Sequence, residues 1–96
     1  MKIATEIRNQ LFHYGKQILW SWGAHAWTGG EDFLEFKVQG YKLKGFVRIT
    51  LNGLDLYDIC FKNHNGEAIK EMNDVYAEDM VSIIDNEVET DNGKYL

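Results

Sequence analysis

Asp55 and Asp58, in the string LDLYDICF, are the first residues to weigh for chemistry. Two carboxylates held side by side can share a proton in acid–base work or grip a divalent ion. Three residues apart on an extended strand, however, they point to opposite faces. The reading that follows sets Asp55 in a turn and pairs Asp58 with Arg48. Cys60 lies in the same string, and a thiol nucleophile needs a neighbouring base to populate its thiolate. His64 is four residues on, past the end of the strand, so Cys60 reads as an ordinary strand residue. His13, His25 and His64 are scattered over a helix end, an extended segment and a polar turn, with no metal-ligand spacing and no Cys-x-x-Cys to help. Gly29-Gly30 is followed by no Lys-Ser/Thr, which sets aside a phosphate-binding loop. These residues point to no catalytic group, no metal and no cofactor, and the expectation is a protein that is not an enzyme.

The segment WSWGAHAW places three tryptophans within eight residues. Trp20 and Trp22 read as cover for a sheet beneath helices. Trp27, with His25, reads as an exposed patch, because exposed aromatics anchor protein interfaces or stack nucleic-acid bases. Lys42 and Lys44 complete this candidate interaction set, with Lys37 and Arg48 nearby in sequence. A second candidate surface comes from charge. Residues 1–50 carry seven Lys/Arg against four Asp/Glu, whereas residues 51–96 carry three against eleven. From Glu71 to Asp91 there are eight acids and no base. Glu78, Asp79 and Asp85 are the candidate acidic face; a solvated outer helix surface is the plain alternative. The net charge of −5 argues against non-specific nucleic-acid binding, since phosphate contacts need cations.

The elements that must carry these residues are legible in outline. Ile3, Ile7, Leu11 and Tyr14 recur at helical spacing and predict a helix over 3–14, ended by Gly15 in a left-handed conformation. From Lys16 the period becomes two, placing Ile18, Trp20 and Trp22 on one face of a strand. Gly29-Gly30 is the expected turn, with a second strand over 33–39. A bulge at Gly23 would bring both apolar sets to one face. The third strand is 46–51, and Asn52-Gly53 signals a hairpin. A three-residue loop, Asn52-Gly53-Leu54, makes paired positions sum to an even number. Val47, Ile49 and Leu51 then share a face with Tyr57, Ile59 and Phe61, and Arg48 falls opposite Asp58. Ala68 to Met72 reads as a short extra strand or irregular chain. A second helix is expected over 75–89, capped by Asn73 or Asp74, with an apolar stripe of Tyr76, Met80, Ile83, Ile84 and Val88.

The order α-β-β-β-β-α with short connections predicts an α+β fold: an antiparallel four-stranded meander with two helices packed on one face. The 96 residues, 45% hydrophobic, suit a single domain over 1–96, with residues 91–96 frayed. No apolar run is long enough to span a membrane, and MKIATEIRNQLF is no secretory signal. One cysteine permits no internal disulfide, so a cytoplasmic protein is expected.

In this order, WGAHAW, LEFKVQG, VRITLNGLDLYDICF and DVYAEDMVSIIDNEVE resemble small uncharacterised proteins encoded by bacteriophages and conjugative elements of gut bacteria. The likeness runs from about Glu6 to Glu89 and is most specific in LNGLDLYDICF and the helix ending IIDNEVE. It carries over no site residue. It implies an accessory protein of a mobile element in the cytoplasm of a bacterial host. The expected function is a protein-interaction or self-association module. Single-stranded nucleic-acid binding on an aromatic, basic sheet face is the alternative, as is nucleic-acid mimicry by the acidic C-terminal helix.

Overall fold

A computed structural model describes residues 2–40 and 42–89, except for the side chains of Gln17 and Trp20. The expected fraying of 91–96 lies outside the described residues, as does the side-chain role read for Trp20. The elements are α1 (Lys2–Trp22), β1 (His25–Gly29), β2 (Phe33–Gln39), β3 (Lys44–Leu51), β4 (Tyr57–Asn63), β5 (Ala68–Val75), a 3₁₀ turn (Ala77–Asp79) and α2 (Met80–Val88). The fold is α+β, but the antiparallel sheet has five strands rather than four, in the order β1-β2-β3-β4-β5.

The largest departure from the sequence reading is α1. It continues to Trp22, with non-helical dihedrals only at Gly15 (φ −155°, ψ 39°), so Gly15 bends the helix and does not end it. The buried residues Ile7, Leu11, Gly15, Leu19 and Trp22 step by four, four, four and three, a continuous helical stripe. The expected strand over 16–22 is therefore helix, and Ile18 is largely exposed. Tyr14 also falls off the stripe and faces solvent. Gly23 (φ +64°) ends α1 in the left-handed conformation that glycine adopts without strain, so the bulge is not there. An extra residue does enter the first hairpin, three positions on. His25 pairs with Lys37 and Thr28 with Glu35, leaving Ala26 and Trp27 together opposite Phe36. Ala26 takes φ +55°, and the displaced register turns Trp27 toward the helices.

The β3–β4 register has the even parity expected, and Val47, Ile49 and Leu51 share a face with Phe61, Ile59 and Tyr57. The loop holds five residues rather than three, because the Asn52 side chain builds it. Its Oδ1 accepts the N–H groups of Leu54 and Leu56 at 2.8 and 3.2 Å. Arg48 consequently faces Cys60, and Asp58 faces Thr50. The polar run 68–75 forms a full edge strand, with irregular pairing at two points and Asp74 at φ +57°. Only Met72 and Val75 need cover, which is why its apolar signal is weak. β5 absorbs the expected start of the second helix, and α2 begins at Met80 without a side-chain cap. Tyr76, expected on its stripe, is exposed, whereas Met80, Ile84 and Val88 are buried as read and Val81 joins them.

Both helices cover one face of the sheet. Phe36, Val47, Ile49, Ile59 and Phe61 project from the strands into one cluster with Ile7 and Leu11 of α1 and Ile84 of α2. Among the described residues, no helix is long and apolar enough to cross a membrane.

At Gly15, α1 packs directly against Val81 of α2. A Cβ there would lie 2.6 and 2.9 Å from the two Val81 methyls and 3.3 Å from Val81 Cβ, so rotating Val81 only exchanges one clash for another. Gly15→Ala is expected to lower the unfolding free energy by about 1–3 kcal/mol in urea titration. Gly15→Ala combined with Val81→Ala should retain more stability than the two single losses predict. An unchanged or raised stability for Gly15→Ala would mean that the helices are not in contact at this point.

Candidate functional site

The four residues of the expected interaction set do not share a surface. Trp27 is half-buried on the helix side of the bulge, its ring 4.5 Å from that of Phe36 and 6.0 Å from that of Phe12. It lines an open groove of about 640 Å³ between α1 and β1, with Phe12, Leu19 and Ala24 as apolar neighbours and Lys16 and His25 beside them. The Arg8 guanidinium lies 4.7 Å from the Phe12 ring centre and 5.8 Å from that of Trp27, a cation placed over both aromatic faces.

Lys42 belongs to neither an aromatic patch nor the sheet face. Its backbone N–H and that of Leu43 donate to the Val88 carbonyl at 2.8 and 3.1 Å, and its Nζ donates to the Asn86 carbonyl at 2.7 Å. It caps the C-terminal end of α2, where a cation also meets the negative end of the helix dipole. Lys44 stands exposed on the outer face of the sheet. His25 lies between the two surfaces and contributes to both grooves. Its Nδ1–H donates to the Gly23 carbonyl at 2.6 Å, leaving Nε2 for a ligand.

The acidic set is divided as well. Glu78 and Asp79 are exposed on the 3₁₀ turn ahead of α2. Asp85 points inward and accepts the Trp22 indole N–H at 2.9 Å, while its neighbour Glu87 pairs with Lys70 at 2.9 Å. Asp58 is likewise structural: its Oδ1 takes hydrogen bonds from Asn52 Nδ2 at 3.0 Å and from the Asp74 backbone at 3.1 Å. Asp55 sits at φ +61° in the five-residue loop. Arg48 therefore pairs with Glu35, at 2.9 Å, and not with Asp58. Among the described residues, no group of three His, Cys, Asp or Glu side chains is placed to hold a metal ion.

The outer face of the sheet carries an arrangement that the sequence reading glimpsed only in part. His25 faces Lys37 across β1 and β2, Lys37 faces Phe46, and Phe46 faces Lys62, forming one row across four strands. Lys37 Nζ lies 5.6 Å from the Phe46 ring centre, and the Arg48 guanidinium lies 4.0 Å from that of Phe33. His25, Lys37, Lys44, Phe46 and His64 line a shallow groove of about 440 Å³ there. Glu35 Oε1 is the counter-charge, 2.9 Å from Arg48 Nε and 3.0 Å from Lys62 Nζ. Phe33, Phe46 and Lys62 were not singled out from sequence, and His64 was weighed only as a base for Cys60 or as a metal ligand. The signal for Phe33 and Phe46 is the polar or aromatic residue at every second position of 33–37 and 44–48, which becomes a row with Lys62 only once the registers are known.

Compared with known protein families, curated proteins and solved structures, the chain matches none of them.

Burial acts to raise the Glu35 pKa. Hydrogen bonds from Lys62 and Arg48 outweigh it, and the two positive charges add to them, so the carboxyl titrates below its ordinary 4.5. A carboxylate whose pKa is lower folded than unfolded contributes stability that is complete above its unfolded value and is lost as the pH falls through its folded value. The stability difference between wild type and Glu35→Gln, from urea unfolding, should be constant from about pH 7 to pH 5 and shrink below about pH 4.5. A difference that grew toward acid would show that the two cations do not hold the carboxylate.

Proposed function

We propose that the protein is a non-enzymatic protein-interaction module whose groove beside Trp27 receives an apolar side chain flanked by acidic residues on a protein partner. The groove itself carries this reading. Its floor is apolar, Arg8, Lys16 and His25 surround it, and no carboxylate lines it among the described residues. Seating one large apolar side chain contributes about 1.5–3 kcal/mol, and the surrounding cations add selectivity and association rate rather than much affinity. As an accessory protein of a phage or conjugative element, the role its resemblance implies, it would meet this partner in the cytoplasm of a bacterial host. The half-buried Cys60, without a second described cysteine, is in keeping with that compartment.

A second copy of the chain is the competing occupant, and light scattering separates the two, since a monomer has a mass of 11.1 kDa. Mimicry of nucleic acid by Glu78, Asp79 and Asp85 gains no support, because Asp85 is bonded to Trp22 and the other two lie on a separate turn.

Selection from a random peptide library tests the proposal directly. Enriched peptides should carry an aromatic or aliphatic residue beside Asp or Glu and should shift the Trp27 indole resonance. Arg8→Glu combined with Lys16→Glu should weaken them about tenfold or more. Enriched peptides that leave the Trp27 resonance unmoved, or a selection that returns no such pattern, would remove the groove as the binding site.

A further inference from the structure

We infer that the outer face of the sheet, on the side away from the helices, is a binding site for single-stranded nucleic acid, centred on Phe46 and flanked by Lys37, Lys44 and Lys62. Strands in a sheet lie about 4.8 Å apart, so the row from His25 to Lys62 extends about 14 Å across the sheet. It is an open track rather than an enclosed pocket. Within it, ammonium groups alternate with an aromatic ring, the combination that lets a single strand place phosphates and unstacked base faces together. A duplex offers the phosphates but keeps its base faces stacked, so a single strand is the better complement.

The charge around Lys37 and Lys44 favours this ligand despite the acidic total and despite Asp58 and Glu71, which the registers place on the same face opposite Thr50 and Cys60. Among the described residues, neither Lys37 nor Lys44 is in a salt bridge, whereas Lys62 and Arg48 share the single carboxylate of Glu35. Glu35 is thus an internal competitor: a phosphate approaching Lys62 or Arg48 must draw it from a carboxylate 2.9–3.0 Å away. Phe33, with Arg48 4.0 Å from its ring centre, extends the aromatic track along β2. His25 and His64 border the same groove. Trp27 and Lys42 take no part, since Trp27 packs on the opposite face and Lys42 caps α2.

The test is fluorescence anisotropy of a labelled mixed-sequence oligonucleotide of about 12 nucleotides, titrated with the full chain from about 50 to 200 mM salt. Binding should weaken as salt rises, and Lys37→Ala with Lys44→Ala should both lower affinity and flatten the salt dependence. Phe46→Leu keeps apolar bulk but removes the stacking ring, so it should cost about five- to a hundredfold in affinity with the salt slope unchanged. Glu35→Gln should do the reverse of the lysine variants, raising affinity and steepening the slope. No binding at about 50 mM salt by a chain whose circular dichroism shows it folded would overturn the inference. So would binding indifferent to Lys37 and Lys44, or poly-glutamate competing as well as the oligonucleotide, which would make the face a site for acidic polypeptide.

Discussion

The buried indole of Trp22 ties the two layers of the protein together. Its ring lies nearly parallel to that of Phe36 on β2, with centres 6.4 Å apart, and its N–H reaches Asp85 of α2 at 2.9 Å. A tryptophan buried this completely needs a partner for its one donor, and the carboxylate supplies it. The contact works only if α1 extends to residue 22 and α2 lies across it with Asp85 facing inward. From that constraint follow the bend at Gly15, which lets α1 pass close to Val81, and the reversal at Gly23, which returns the chain as β1. The tryptophan-rich segment is thereby split: Trp22 becomes core and Trp27 is left at a groove.

The central strands were legible because each alternates cleanly. Leu34, Phe36 and Val38 face inward, as do Val47 and Ile49, and the parity of the Asn-Gly hairpin set their shared face correctly. What parity could not supply was the length of the loop. That length depends on one side chain, Asn52, replacing backbone partners for Leu54 and Leu56, and it moved Arg48 from Asp58 to Glu35. Residues 16–22 were ambiguous in a different way. Ile18, Trp20 and Trp22 satisfy a period of two, while Leu19 and Trp22 continue the helical stripe of Ile7, Leu11 and Gly15. Both patterns end on Trp22, so only the larger context of α1 decides between them. β5 was faint because an edge strand with two inward residues has little apolar signal to give. Of the candidate site residues, Trp27, His25 and Lys44 remain on grooves, but Lys42 could not have been recognised as a helix cap without knowing that its loop passes the end of α2.

The layers also sort charge. The excess of basic residues in the first half of the sequence reaches the outer sheet face through Lys37, Lys44 and Arg48, joined by Lys62 from β4. Glu78 and Asp79 remain exposed on the turn before α2, while Asp85 and Glu87 are engaged within the fold. The outer sheet face also carries Glu35, Asp58 opposite Thr50 and Glu71 opposite Cys60, so its positive charge is concentrated around Lys37 and Lys44 and does not extend over the whole sheet. The apolar groove and the basic face lie on opposite sides of the sheet and meet at His25.

Each edge strand contains one non-glycine residue at positive φ, Ala26 in β1 and Asp74 in β5. At those points the run of outward-facing amide and carbonyl groups loses its regular spacing, so neither margin offers an unbroken ladder to an incoming strand. Five strands are therefore a terminus and not a template. A margin interrupted in this way disfavours edge-to-edge pairing between neighbouring copies of the sheet.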